Sequence, residues 1–364
     1  MPPPEPDRAW MLLDLDAVEA NFHEVRRRVG AAVRIIASVK ANAYGHGVGP
    51  VARRLEFAGV DMFATGSVDE AIALRKSEIE TPVLMFGAAL PSAVPELIRQ
   101  GLIPTVHNAE LAEVVAICGP RPNPVFVKVD CGLGRLGVPL CAAHRFVLDL
   151  ARQPLVEVAG LYTHLPFYDA AGMSWARERI ARFDDLVAAL ARDGLTIPTT
   201  QARASAAIVT GIGDNCSAVC PGGILYGHSP VEEGLGDASG FRPVMAGAGT
   251  RLIQVSPKAG EGARGVVPFG RCDGNRAAVA GETAHMLVRG VKAPVLAVSL
   301  EHAVLDLSAV DNPKVGDEAV ILGGSGPDAI TLARLAQWWG VGVNDVLMAF
   351  NRRMAHRYLP TNLC

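Results

Sequence analysis

The chain has 364 residues, half of them hydrophobic and a fifth charged, with a formal net charge of -3. That length exceeds one typical core and favours a large domain with a smaller companion. The small net charge gives no electrostatic pull toward nucleic acid or an anionic membrane surface, and no apolar run is long enough to span a bilayer.

The opening "MPPPEPDRAW" lacks the basic-then-apolar pattern of a secretory signal, and residues 1–9 are expected to be a disordered tail. The seven cysteines are odd in number and scattered. Cys216 and Cys220 stand four apart without a second close pair, which argues against a zinc or other metal site and for a reducing, cytoplasmic compartment. From residue 34 to about 227, β-rich runs alternate with amphipathic helical stretches. The strand candidates are 34–40, 61–66, 82–87, 103–107, 125–130, 158–164, 197–202 and "GILYG" at 223–227. Between them, "SVDEAIALRKS" and "NAELAEVVAIC" open on capping-type residues, and "SWARERIARFDDLVAALARDG" ends on a helix-stopping glycine. Eight such steps in roughly 200 residues match a (β/α)8 TIM barrel better than an open doubly wound sheet. After about residue 240, short alternating strands separated by Gly, Pro and Asp predict a mostly antiparallel β-domain, with helical pattern near the end. The division expected is a barrel over 10–240 and a β-domain over 241–364.

Chemistry in a TIM barrel sits at the C-terminal ends of its strands. Lys40 ends the first strand; Asp130 and Arg135 follow the fifth, His164 the sixth and Ser205 the seventh. Gly222 and Gly223, in "AVCPGGILYG", open the eighth candidate. Two glycines there fit a backbone cradle for an anion, as often found after strands 7 and 8, and equally a plain turn. A lysine at a strand end is either paired with a carboxylate or kept as a reactive amine. The amine and the cradle together suggest a phosphorylated aldehyde, for which pyridoxal 5'-phosphate (PLP) is the candidate.

Five stretches in order then resemble the alanine racemase family of fold-type III PLP enzymes. "ASVKANAYGHG" (37–47) resembles its PLP-lysine motif and "VKVDCGLGRLGV" (127–138) its "DTGMGR" segment. "LYTHLPFYD" (161–169) resembles "THFA", "RASAAI" (203–208) resembles "ANSAA", and "CPGGILYG" resembles "RPGIALYG". Further on, "APVLAVSLEHAVLDL" is similar to the "ISMDQ" region and "VGDEAVILG" to a family strand pair. The resemblance implies a TIM barrel with a β-domain, an aldimine on Lys40, a small amino-acid substrate and a head-to-tail homodimer with shared sites. It also implies that Tyr44, Ser205, Gly222 and Gly223 hold the phosphate and that His164 stacks near the pyridine ring. Arg135 approaches the phenolic oxygen or the substrate carboxylate, and Lys128 matches a lysine often carbamylated in the family.

Three departures bear on the reaction. Cys220 stands where the family's cradle has an arginine facing the pyridine nitrogen, and a thiol is a weak donor; Arg203 is the neighbour able to substitute. The family's second base, a tyrosine in "GYADG", has no counterpart: "PFGRCDG" (268–274) carries Arg271 and Cys272, and no tyrosine occurs between Tyr226 and Tyr358. "ISMDQ" becomes "VSLEH", with Leu300, Glu301 and His302. Near the C-terminus, Asn351 or Arg352 replaces a phosphate-contacting tyrosine. Catalytic candidates are therefore Lys40, Arg135, His164, Cys272, Glu301 and His302, and the cofactor candidates are Lys40, Tyr44, His164, Ser205, Cys220, Gly222 and Gly223. Three functions are open: an amino-acid racemase with an altered second base, Cys272 or His302; one-base PLP chemistry (decarboxylation, retro-aldol or hydroxymethyl transfer, elimination) on a modified amino acid; and a non-catalytic PLP carrier.

Overall fold

The computed structural model describes residues 8–86, 89–119, 122–257, 262–350 and 353–359. Two compact units emerge: Ala17–Ala43 with Val48–Arg242, and Met1–Asp16 with Tyr44–Gly47 and Pro243–Cys364. The first strand, β1 (Ala9–Asp14), belongs to the second unit.

The first unit contains β2 (Arg34–Ser38), β3 (Met62–Thr65), β4 (Val83–Met85), β5 (Thr105–Val106), β6 (Asn123–Asp130), β7 (Val138–Pro139), β8 (Val156–Tyr162), β9 (Thr199–Ala204) and β10 (Ala218–Cys220). Without β7, these run β4-β3-β2-β10-β9-β8-β6-β5. Every pairing is parallel, and a parallel bridge between Leu84 and Ile103 joins the two ends of the order. That is the parallel barrel expected. Its interior is packed by Ile36, Met62, Leu84, Ile103, Phe126, Tyr162 and Ala218, with Cys220 against them. The helices form where apolar periodicity meets a cap. Asn108 accepts from Leu111 N ahead of Ala109–Ile117, and Asp169 from Gly172 N ahead of Ala170–Arg192. Ser67 precedes Val68–Lys76 without a side-chain cap.

One strand is not where the sequence suggested. The eighth is Ala218–Cys220, and "GILY" is a 3-10 turn over Gly223–Tyr226. Pro221 donates no backbone hydrogen bond, and Gly222, at φ -126 and ψ -96, turns the chain. Buried Ile224, Leu225 and Tyr226 supply the apolar signal that imitates a strand. Gly222 and Gly223 thus follow the last strand rather than opening it.

The second unit adds β11 (Met245–Arg251), β12 (Gln254–Pro257), β13 (Ala263–Val267), β14 (His285–Val288), β15 (Val291–Val298), β16 (Ala303–Asp306), β17 (Glu318–Leu322) and β18 (Ala355–Leu359). The sheet runs β12-β13-β16-β15-β14-β17-β11-β1-β18, antiparallel except for β1 against β18. The expected boundary at residue 10 is corrected: β1 pairs with β11 and β18, and Met11 and Leu13 are 0% exposed. Ala9, assigned to the tail, already lies in this strand; residues 1–7 fall outside the described ones. The helical pattern near the end resolves into Leu332–Trp339 and Val343–Phe350, whose Trp339 and Phe350 rings meet edge-on at 5.8 Å. Among the described residues no helix is long and apolar enough to cross a membrane.

Candidate active site

Lys40 stands just beyond the buried run of β2, where Val39 N donates to Ala64 O of β3. The chain then enters a left-handed turn, with φ of 54, 54, 53 and 53 at Ala41, Asn42, Ala43 and Tyr44. Such backbone costs on the order of 1–2 kcal/mol per non-glycine residue, so something must hold it. In the first unit Asn42 N donates to Glu70 Oε1 at 2.7 Å, the Thr65 hydroxyl donates to the other Glu70 oxygen, and Val48 N donates to Asn42 Oδ1 at 2.8 Å. Sequence reasoning missed Asn42 and Glu70. In isolation Glu70 reads as an ordinary acid in the first turn of a helix, favourable to the dipole.

Across the barrel, Lys128 of β6 is 7% exposed, with Nζ 5.8 Å from the ring centre of Tyr162, its register partner on β8. Burial first, then the charges of Arg135 and Lys40, push Lys128 down to about 8, with Asp130 opposing. The Tyr162 hydroxyl lies 3.2 Å from Thr105 Oγ1, and burial raises the phenol pKa. After β6 the Asp130 carboxylate accepts from Gly132 N, Leu133 N and Gly134 N, winding the loop tightly. At Gly137 (φ +139) a Cβ would meet Asp130 N at 2.6 Å, so the loop folds back on the strand it left and β7 pairs beside β6. Arg135 rides on this loop.

His164 follows β8. Burial, then the charges of Lys40, Arg135 and Lys128, bring its imidazole down to about 4, so it is neutral near pH 7. Ser205 follows β9 and accepts through Oγ from Gly222 N at 2.8 Å, tying the ends of β9 and β10 together. The N–H groups of Gly223 and Ile224 donate to no acceptor among the described residues. Ser38 N donates to Pro221 O and Tyr226 OH to Ser38 O, which fastens this turn to the end of β2. Cys220 faces the barrel interior; burial pushes its thiol up to about 12, while Lys40 pulls it the other way. Arg203 does not make up for it. Its Nε lies 2.7 Å from Asp214 Oδ1, and Asp214 sits beside Asp184 of the long helix, on the outer side of the sheet.

The first unit therefore gathers Lys40, Lys128, Arg135, His164, Ser205, Cys220, Gly222 and Gly223 at the C-terminal ends of its strands. Tyr44 lies at the end of the left-handed turn, in the short segment belonging to the second unit. The remaining candidates form a cluster of their own within that unit. Arg271 N and Cys272 N donate to Ser299 O and Leu300 O, and Ser299 and His302 close a tight turn. A Cβ on Gly270 would meet Leu300 O at 2.4 Å, so the two segments touch backbone to backbone. Glu301 is engaged by Arg353 at 3.0 Å and Arg8 at 2.9 Å, which hold its carboxyl below the usual range, and it serves this network rather than standing available as a base. Buried Asp273 belongs to the same network, 3.5 Å from Arg353. Asn351 and Arg352 lie outside the described residues.

Residues 13–230 match the family description "Alanine racemase, N-terminal domain", and residues 258–358 match "Alanine racemase, C-terminal domain". The alanine racemase of Halothermothrix orenii is 29% identical, over 96% of this chain and 96% of its own length. That of Symbiobacterium thermophilum is also 29% identical, with the same coverage. Among solved structures, alanine racemase from Corynebacterium glutamicum is 26% identical with a TM-score of 0.84, covering 96% of this chain and 99% of its own. The enzyme from Streptomyces coelicolor is 27% identical with a TM-score of 0.83, covering 97% and 98%. With both domain matches spanning most of its length, this chain belongs to the alanine racemase family.

Proposed function

We propose that the chain is an amino-acid racemase that holds pyridoxal 5'-phosphate on Lys40 at the barrel mouth and uses a second base other than tyrosine. The observation that carries this reading is the placement of one amine and a set of hydroxyl and N–H donors at the ends of β2, β9 and β10. The fit is chemical: Ser205 keeps its hydroxyl proton while its oxygen accepts from Gly222 N, and the Gly223 and Ile224 N–H groups are open to an anion. When bound, pyridoxal 5'-phosphate supplies an aldehyde that captures amines and a ring that stabilises negative charge at Cα.

In this reading Lys40 anchors the group and moves the Cα proton at Nζ on one face. Ser205, Gly222, Gly223 and Tyr44 hold the phosphate, and neutral His164 packs beside the ring without adding charge. Arg135 orients a substrate carboxylate from the loop after β6. Cys272 or His302 serves the opposite face, in a homodimer with shared sites that works in the cytoplasm. Arg271, in the segment where relatives carry the tyrosine, adds a cation there.

A second reading has its own support: one-base chemistry at Cα or Cβ, in which only Lys40 moves a proton. Cys220 is a neutral thiol facing the interior and Arg203 is committed to Asp214, so neither supplies the free cation that the family resemblance would set opposite the pyridine nitrogen. Incubation with L- and D-amino acids in deuterium oxide separates the two. Deuterium at Cα with inversion supports the racemase. Deuterium with retention, or release of carbon dioxide or an aldehyde, moves the assignment to one-base chemistry. Absence of turnover alongside a Lys40-dependent cofactor absorbance leaves a carrier.

A further inference from the structure

Within the second unit, Tyr44, Gly45 and Gly47 have left-handed backbone, with φ of 53, 85 and 90. Gly45, His46 and Gly47 are buried, so their carbonyl oxygens need donors from elsewhere in the fold. β18 supplies two. His356 Nε2 lies 3.0 Å from Gly45 O, and because a carbonyl oxygen only accepts, the ring presents Nε2–H there. The Tyr358 hydroxyl donates to His46 O at 3.1 Å. A Cβ on Gly47 would stand 2.0 Å from that same hydroxyl, so the phenol fits against the segment only because glycine is there.

Strand alternation explains why the two side chains act together. His356 and Tyr358 fall on one face of β18, where their rings stack with centres 6.1 Å apart and planes 15° from parallel. Arg357 falls on the other face, its guanidinium 4.2 Å from the Trp10 ring centre. β18 is held in register along β1, Met11 against His356 and Leu13 against Tyr358, and β1 is paired in turn with β11. The hold on Gly45 and His46 is thus anchored in the sheet, and the residue just before them in the chain is Tyr44.

We propose that His356 and Tyr358 are positioning residues for Tyr44, fixing the backbone that carries its phenol to the cofactor's phosphate; this rests on Tyr44 holding that phosphate. Neither side chain needs to touch the cofactor. A slack segment lets Tyr44 retreat, which costs the phosphate one donor and leaves the amine of Lys40 as it is.

The test titrates the full chain, freed of cofactor, with pyridoxal 5'-phosphate and with pyridoxal, which lacks the phosphate; affinity is read from the lysine-bound absorbance. The ratio of the two affinities separates the phosphate seat from the amine. In the wild type the phosphorylated compound is expected to bind more tightly, and Tyr44→Phe to cut the ratio. Tyr358→Phe, which keeps the ring, and His356→Leu should each lower the ratio about fivefold with pyridoxal affinity unchanged. His356→Gln, which keeps an N–H at similar reach, should retain it. Near-UV circular dichroism checks folding, and Tyr358→Phe decides the matter where His356→Leu does not fold. An unchanged ratio in Tyr358→Phe and His356→Leu, or an equal loss of affinity for both compounds, overturns the proposal while Tyr44 keeps its place at the phosphate. A ratio unmoved by Tyr44→Phe, or a wild type without lysine-bound absorbance, sinks the cofactor reading beneath it, and these two controls tell the failures apart.

Discussion

At Cys220 the barrel wall presents a neutral thiol to the mouth, and its ionisation is suppressed to about 12 by burial. Alkylation requires thiolate, so iodoacetamide at pH 8 should label exposed Cys141 well before Cys220. Peptide mapping over time checks the order; labelling of Cys220 first would mean that its ionisation is not suppressed. His164 gives a second prediction. Its folded pKa of about 4 lies below the ordinary histidine value of 6.5, so the unfolded chain binds the extra proton first. The stability tied to neutral His164 is complete above pH 6.5 and is lost as pH falls toward 4. The urea midpoint should drop over that window in the wild type and drop less in His164→Asn. Lys40, Arg135 and His164 could be picked from the sequence because strand-end residues of a barrel are exposed to chemistry whatever packs beneath them. The commitment of Arg203 to Asp214 could not, since ten residues separate a pair that only the folded chain closes.

Lys40 owes its presentation to a turn rather than to a strand. The left-handed stretch Ala41–Tyr44 is secured by Glu70, which accepts from Asn42 N and from the Thr65 hydroxyl. Glu70→Ala should cost about 1–3 kcal/mol in urea unfolding because a buried donor loses its acceptor. Glu70→Gln, which can still accept through one oxygen, should cost less; equal losses would show that the bond does not matter. At the turn facing Leu300–His302, Gly270→Ala should destabilise by about 1–3 kcal/mol through backbone overlap. The same scale shows why "GILYG" misleads. A three-residue strand such as Ala218–Cys220 has too little length for a period-2 signal, whereas the buried 3-10 turn after it is rich in apolar residues. Glu70 and Asn42 were invisible for a related reason: their meeting depends on β2 and β3 lying side by side, which local pattern does not encode.

The division into two units was legible from the change of rhythm near residue 240, but its start was not. An apolar run such as Ala9–Asp14 fits a barrel strand or a sheet strand equally well, and the partners that decide lie more than two hundred residues downstream. Because β1 sits inside the second sheet, between β11 and β18, deleting residues 1–14 should strip hydrogen-exchange protection from Met245–Arg251 and Ala355–Leu359. Unchanged protection there would remove β1 from the sheet. For the molecule as an enzyme, everything turns on which amine carries the cofactor, since two lysines with different surroundings face the same barrel mouth. Borohydride reduction of the holoenzyme, followed by peptide mass mapping, fixes the cofactor to its lysine. A single pyridoxyl group is expected on Lys40 and none in Lys40→Ala; a label on Lys128, or none in the wild type, would contradict the assignment of Lys40.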